Sequence, residues 1–96
     1  MSDQVTVRIP TALRPLAGSK ASLDVAGATV HEVLRRLGEE HPELGRRLFK
    51  EEGKLNGFVN VFLNQEDIRF LKDLETAVSP GDTLSIIPAI AGGRGA

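Results

Sequence analysis

Apolar and polar side chains alternate near the start of the chain. Val5, Val7 and Ile9 are separated by Thr6 and Arg8, the period of two expected of a strand with one buried face. Pro10 has no N–H with which to continue a ladder and closes the run. A loop carrying Pro15 and Gly18 leads to a second alternation, Ala21, Leu23 and Val25, ended by Gly27. Two such runs joined by a loop of about ten residues predict an antiparallel pair.

The period then changes. Thr29-Val30-His31-Glu32 has the form of a capping box, in which Thr29 accepts from an early helical N–H and Glu32 reaches back. Val30, Val33, Leu34 and Leu37 follow at i, i+3, i+4 and i+7, a single apolar stripe. Gly38 weakens or caps the last turn, and Pro42 drives His41 out of helical geometry. Leu44 and Leu48 predict a second, short helical turn. The charged, glycine-bearing stretch 50–57 reads as loop.

Phe58 to Leu63 is a strand by its β-branched and aromatic content. Asn64 to Asp67 reads as a turn and Ile68 to Leu71 as a short partner strand. Pro80-Gly81 marks a tight turn, and Thr83 to Ile90 is the last strand, with Leu84 and Ile86 facing inward. One apolar-striped helix among these strands must cover one face of a mixed sheet, giving a two-layer α+β domain. The order of elements matches the β-grasp, or ubiquitin-like, fold, whose first and last strands lie parallel at the sheet centre. Residues 1–91 are expected to form that domain and residues 92–96 a mobile tail.

Composition narrows the chemistry. The 96 residues suit a single domain, and 29 of them are Leu, Ile, Val or Phe, too many for a disordered chain. Twelve basic against thirteen acidic side chains leave a net charge of −1, without the basic footprint of a nucleic-acid partner. No apolar run is long enough for a membrane span, and the N-terminus lacks the pattern of a signal peptide. Absence of cysteine removes disulfides, thiolate nucleophiles and Cys–zinc sites, and is compatible with a cytoplasmic protein.

Catalytic groupings are missing too. His31 and His41 are ten positions apart with no cysteine to join them, so no metal site is expected. Glu39-Glu40 and Glu51-Glu52 are adjacent carboxylates that point apart and read as solvated surface. Ser19, Ser22, Ser79 and Ser85 lie in no nucleophile motif. The glycines of Ala91-Gly92-Gly93-Arg94-Gly95-Ala96 precede no helix that could receive a phosphate. The reading is a carrier or substrate of other enzymes, not an enzyme.

A Gly-Gly tail on such a domain suits insertion into a narrow channel of another protein, because it lacks side chains and adopts any φ/ψ. A terminal glycine then offers one reactive group, an unhindered α-carboxylate. An ATP-dependent partner could convert it to an acyl adenylate, from which sulfide or a persulfide displaces AMP to leave a thiocarboxylate.

Four stretches carry a family resemblance: Ile9-Pro10-Thr11-Ala12-Leu13-Arg14-Pro15, Phe58-Val59-Asn60-Val61-Phe62-Leu63-Asn64, Glu66-Asp67-Ile68-Arg69-Phe70 and Ile87-Pro88-Ala89-Ile90-Ala91-Gly92-Gly93. Through them the chain resembles the ubiquitin-like sulfur carriers of the MoaD/ThiS/CysO group, most of all the CysO type. The resemblance implies that Gly93 is the adenylated and thiocarboxylated residue, with Gly92 its linker. It implies a ubiquitin-activating-type adenylating and sulfurtransferase enzyme that uses ATP and Mg, while the carrier itself binds no cofactor. It also implies, as acceptor, a pyridoxal-phosphate cysteine synthase in cysteine biosynthesis or another sulfur-accepting enzyme, and a zinc metallopeptidase. Members of the group commonly end at Gly-Gly, whereas Arg94, Gly95 and Ala96 come after it here, so removal of residues 94–96 is expected before activation.

Two related roles share the fold and the adenylation step: a modifier conjugated to lysines, and the small subunit of molybdopterin synthase. A β-grasp binding module with an incidental glycine tail is a third. Alternation also predicts a docking patch. With Val59, Val61 and Leu63 inward, Phe62 points to the opposite face of the sheet, as does Ile87. These two form its apolar part, and Arg8 and Arg69 its polar rim.

Overall fold

The computed structural model describes residues 4–51 and 54–88. The period-two runs become β1 (Gln4–Arg8) and β2 (Ser22–Ala26), paired antiparallel with Val5 opposite Val25 and Val7 opposite Leu23. Val5, Val7 and Ile9 are fully buried; Val25 is buried, Leu23 half-buried and Ala21 exposed. The connection is not plain loop, because Thr11–Ala17 winds into a 3₁₀ helix that buries Leu13 and Ala17. Pro15 fits there because the φ it fixes is helical.

Helix α1 (Val30–Glu40) starts as its sequence dictates. The Glu32 N–H donates to Thr29 Oγ1 at 3.2 Å, and Glu32 Oε1 accepts from the Ala28 N–H at 2.7 Å. The return bond thus lands one residue before the cap, satisfying an amide just outside the helix. Val30, Val33, Leu34 and Leu37 are all fully buried. His41 breaks the helix at φ −132°, ψ 81°, and α2 (Pro42–Leu48) comes next, burying Leu44 and Leu48. Gly38 does not end α1. A Cβ on Gly38 would sit 3.1 Å from Gly45 Cα, and one on Gly45 would sit 3.0 Å from Gly38 Cα, so the glycine pair lets the two helices touch through their backbones.

The stretch read as loop after α2 instead holds a small antiparallel ribbon, β3 (Phe49–Glu51) with β4 (Lys54–Leu55). Strand β5 (Val59–Leu63) turns at Asn64-Gln65 into β6 (Glu66–Asp67). The partner of β5 is therefore the segment read as a turn. Ile68–Phe70, read as a strand, is a 3₁₀ helix capped by Asp67, and a second 3₁₀ turn spans Asp73–Glu75. The last strand is β7 (Thr83–Pro88), entered through Gly81 at φ +91°; residues 89 and 90 of the expected strand lie outside the described residues.

The main sheet has the order β2-β1-β7-β5-β6. β1 and β7 run parallel at its centre, with Val7 beside Leu84, which is the β-grasp arrangement. α1, α2 and the first 3₁₀ helix cover one face, and their apolar side chains meet Val5, Val7, Val61, Leu84 and Ile86 in one core. The other sheet face has no covering layer among the described residues. No helix there is long and apolar enough to cross a membrane.

Candidate functional site

The register across the open face sets one row of side chains. Arg8 lies beside Ser85, Ser85 opposite Phe62, and Phe62 opposite Asp67. Partners in register share a face, and this row has the parity opposite to the buried Val7, Leu84 and Val61. Phe62 thus points away from the core and is half-buried; Ile87, opposite Asn60, is exposed on the same face. Phe62 and Ile87 are diagonal neighbours, within reach of an aromatic side chain.

Arg69 reaches this row through Asp67. Its Nη2 donates to Asp67 Oδ2 at 2.7 Å and its Nε to both carboxylate oxygens at 3.2 Å. The backbone N–H of Arg69 adds a bond to Oδ1 at 2.9 Å. Asp67 is one of two buried polar side chains among the described residues. The Arg69 side-chain bonds, then its backbone N–H, hold the Asp67 carboxyl below the usual carboxylate range despite that burial. Arg69 is raised in turn, chiefly by its hydrogen bond to Asp67. By register Phe62 and Ile87 lie on the open face with Arg8 at its β1 side, and Arg69 meets the row only through its bonds to Asp67 at the β6 end.

Strand β7 ends at Pro88, and residues 89–91 separate it from Gly92 in the sequence. Gly92, Gly93, Arg94, Gly95 and Ala96 lie outside the described residues. Beside the end of β7 sits Arg14, half-buried, its Nε donating to the Ile9 carbonyl at 3.0 Å. The sequence pattern did not single it out, because only the 3₁₀ winding of Thr11–Ala17 brings it back to β1.

Among the described residues, no other group offers a competing centre. His31 packs edge-on against Phe49, ring centroids 6.1 Å apart. Among the described residues no three His, Cys, Asp or Glu side chains are grouped to hold a metal. A hollow of about 500 Å³ lies along the β5 edge, between Lys54–Gly57 and Ile68–Glu75. Its Asp67 and Lys54 are already paired, with Arg69 and Glu51 respectively.

Proteins similar to this chain in sequence and fold are known. The sequence profile of the ThiS family matches residues 7–93, from β1 through the second glycine. The chain belongs to the ThiS family. Sulfur carrier protein CysO of Mycobacterium tuberculosis is 43% identical over 91 residues, spanning 93% of this chain and 98% of that protein. In the crystal structure of the Amycolatopsis orientalis BexX/CysO complex, the matching chain has a TM-score of 0.84 and 47% identity, covering 93% of this chain and 99% of its own. Small archaeal modifier protein 1 of Methanosarcina acetivorans gives a TM-score of 0.85 at 31% identity, covering 95% and 97%. This ThiS-family protein is a CysO-like sulfur carrier, a small ubiquitin-like carrier and not an enzyme.

Proposed function

We propose that the protein carries sulfur as a thiocarboxylate on Gly93. The observation that supports this most is the extent of the ThiS match, which stops at Gly93 and leaves three residues beyond it. In the first step a Gly93 carboxylate oxygen attacks the α-phosphorus of ATP, held with Mg by a ubiquitin-activating-type enzyme; pyrophosphate leaves and an acyl adenylate remains. Hydrosulfide then attacks the acyl carbon and AMP departs, giving the thiocarboxylate. With a persulfide donor the first product is an acyl disulfide, which a thiol cleaves reductively to the same thiocarboxylate. The folded domain stays outside the activating site and supplies the docking face of Phe62, Ile87, Arg8 and Arg69, while Gly92 lets the chain enter without a side chain.

Gly93 has a free carboxylate only after the Gly93–Arg94 bond is hydrolysed, a step suited to a zinc metallopeptidase. The downstream acceptor consistent with the CysO relatives is a pyridoxal-phosphate cysteine synthase, placing the carrier in cytoplasmic cysteine biosynthesis. That Amycolatopsis CysO is seen in complex with BexX supports docking of this chain on a partner enzyme in the same manner. The test presents the full chain and a version ending at Gly93 to the activating enzyme, with ATP and sulfide. Mass spectrometry should show oxygen replaced by sulfur only in the shorter form; equal conversion of the uncleaved chain at Ala96 would overturn the reading. Likeness to the archaeal modifier proteins favours conjugation to lysines as the second reading, and isopeptide-linked adducts in cell extracts would reveal it.

A further inference from the structure

The parallel ladder between β1 and β7 stops before β7 itself ends. The Thr6 N–H donates to the Asp82 carbonyl at 3.0 Å, and each further bond from β1 falls two residues on, at Arg8 and then Pro10. Pro10 has no N–H to give, and the pairing ends with Arg8 beside Ser85. Beyond that point β1 bends into the Thr11–Ala17 helix while β7 runs on to Pro88. A hollow of about 360 Å³ opens between them, lined by Arg8, Pro10, Thr11, Arg14, Ile87 and Pro88 among others.

Among the described residues, two guanidinium groups and no carboxylate line this hollow. Arg35, Arg36, Arg46 and Arg69 each pair with an acidic neighbour; among the described residues Arg8, Arg14 and Arg47 do not, and of these three Arg8 and Arg14 line the hollow. Asp24, an acid on the Arg8 face of β2, is engaged by the Thr6 hydroxyl at 3.1 Å. Arg14 is tethered through Nε to Ile9, which orients the group and leaves its terminal nitrogens as donors. A tethered arginine loses less side-chain freedom when it binds. Ile87 and Pro88 form an apolar wall that would strengthen a charge pair once water is displaced.

We propose that this hollow is a carboxylate socket. An Asp or Glu side chain of the enzyme that receives the tail seats between Arg8 and Arg14 and sets where the tail enters. A planar carboxylate suits the guanidinium fork, which can donate two parallel bonds to it. The inference rests on the carrier reading above and adds the chemistry of the partner at one point of the docking face.

Two measurements test it. In the first, the full ¹⁵N-labelled chain is titrated with a tetraglutamate peptide and followed by NMR. Shifts should concentrate at Arg8, Thr11, Arg14 and Ile87. They should vanish in Arg8→Gln/Arg14→Gln and persist in Arg47→Gln/Lys50→Gln, which removes two cations that do not line the hollow. Shifts spread evenly over all basic residues overturn the socket. In the second, adenylation of the chain ending at Gly93 is followed at steady state. The Arg8/Arg14 double variant should raise KM about tenfold with kcat nearly unchanged, and the difference should shrink as salt is added. Arg8→Gln alone, at an exposed strand position, should reproduce part of the KM effect without a change in Tm. Wild-type turnover with an unaltered KM in both variants overturns the socket and leaves the carrier reading standing. No turnover of the wild type overturns the carrier reading, and the titration then decides the socket by itself.

Discussion

Asp67 shows how a single side chain can join stability to the open sheet face. It caps the 3₁₀ turn Ile68–Phe70, pairs with Arg69 and stands opposite Phe62 across the β5–β6 hairpin. Its carboxyl is held below its ordinary value by the Arg69 bonds. Folding therefore gains from the ionised form above the unfolded value of about 3.9, and that gain disappears as pH falls through the lower folded value. In Asp67→Asn the fall in denaturation midpoint on acidification below about pH 4 should be shallower than in the wild type. A midpoint that falls just as steeply would mean that Asp67 does not carry this dependence. Phe62 differs because its ring lies on the open face. Phe62→Ala should weaken binding to the activating enzyme while lowering Tm far less than a core truncation does. A large Tm loss with binding intact would mean that the ring serves packing.

At the scale of elements, the α1 stripe and the α1–α2 contact dominate. Leu34 is fully buried between helix and sheet, and Leu34→Ala should cost about 2–5 kcal/mol in chemical denaturation. The Gly38–Gly45 contact is less visible. A methyl on Gly45 would meet Gly38 backbone atoms at 3.0–3.5 Å, and backbone cannot rotate away as a side chain can. Gly45→Ala should therefore destabilise by about 1–3 kcal/mol, even though alanine is the better helix former. A stabilised Gly45→Ala would show that the helices separate freely. In the sequence Gly38 reads as a helix end because propensity is local, whereas its role is fixed by Gly45, seven positions on.

For the whole molecule, the fold and the proposed chemistry are separable. The described core is assembled from residues up to Ile86, and the carboxylate proposed to react is at Gly93. Gly93→Ala should thus leave Tm within about 1 °C of the wild type, since a change that removes no buried surface costs little. In the chain ending at residue 93 it should also suppress adenylation. A matching loss of Tm would tie the tail to the core and count against a tail free to thread a channel.

Much of the architecture was legible because it arises from one-dimensional periodicity. Period two gave β1, and the 3.6-residue stripe with its Thr29–Glu32 cap gave α1. The inward Val61, Leu84 and Ile86 and outward Ile87 all obey the alternation. The elements misread are short ones. Glu66–Asp67 is a strand and Ile68–Phe70 a 3₁₀ helix because the Asn64-Gln65 turn sets the register with β5 and Asp67 caps the turn after it. Two or three residues hold no periodicity from which to read that. Phe49–Glu51 and Lys54–Leu55 form a ribbon by pairing with each other, not by pattern. Only the tertiary structure decided that Arg8, Ser85, Phe62 and Asp67 form one row, since they come from four strands and meet only through the pairing between them. It alone brought Arg14 to the end of β7, because that meeting depends on where β1 stops and how the chain winds after Pro10.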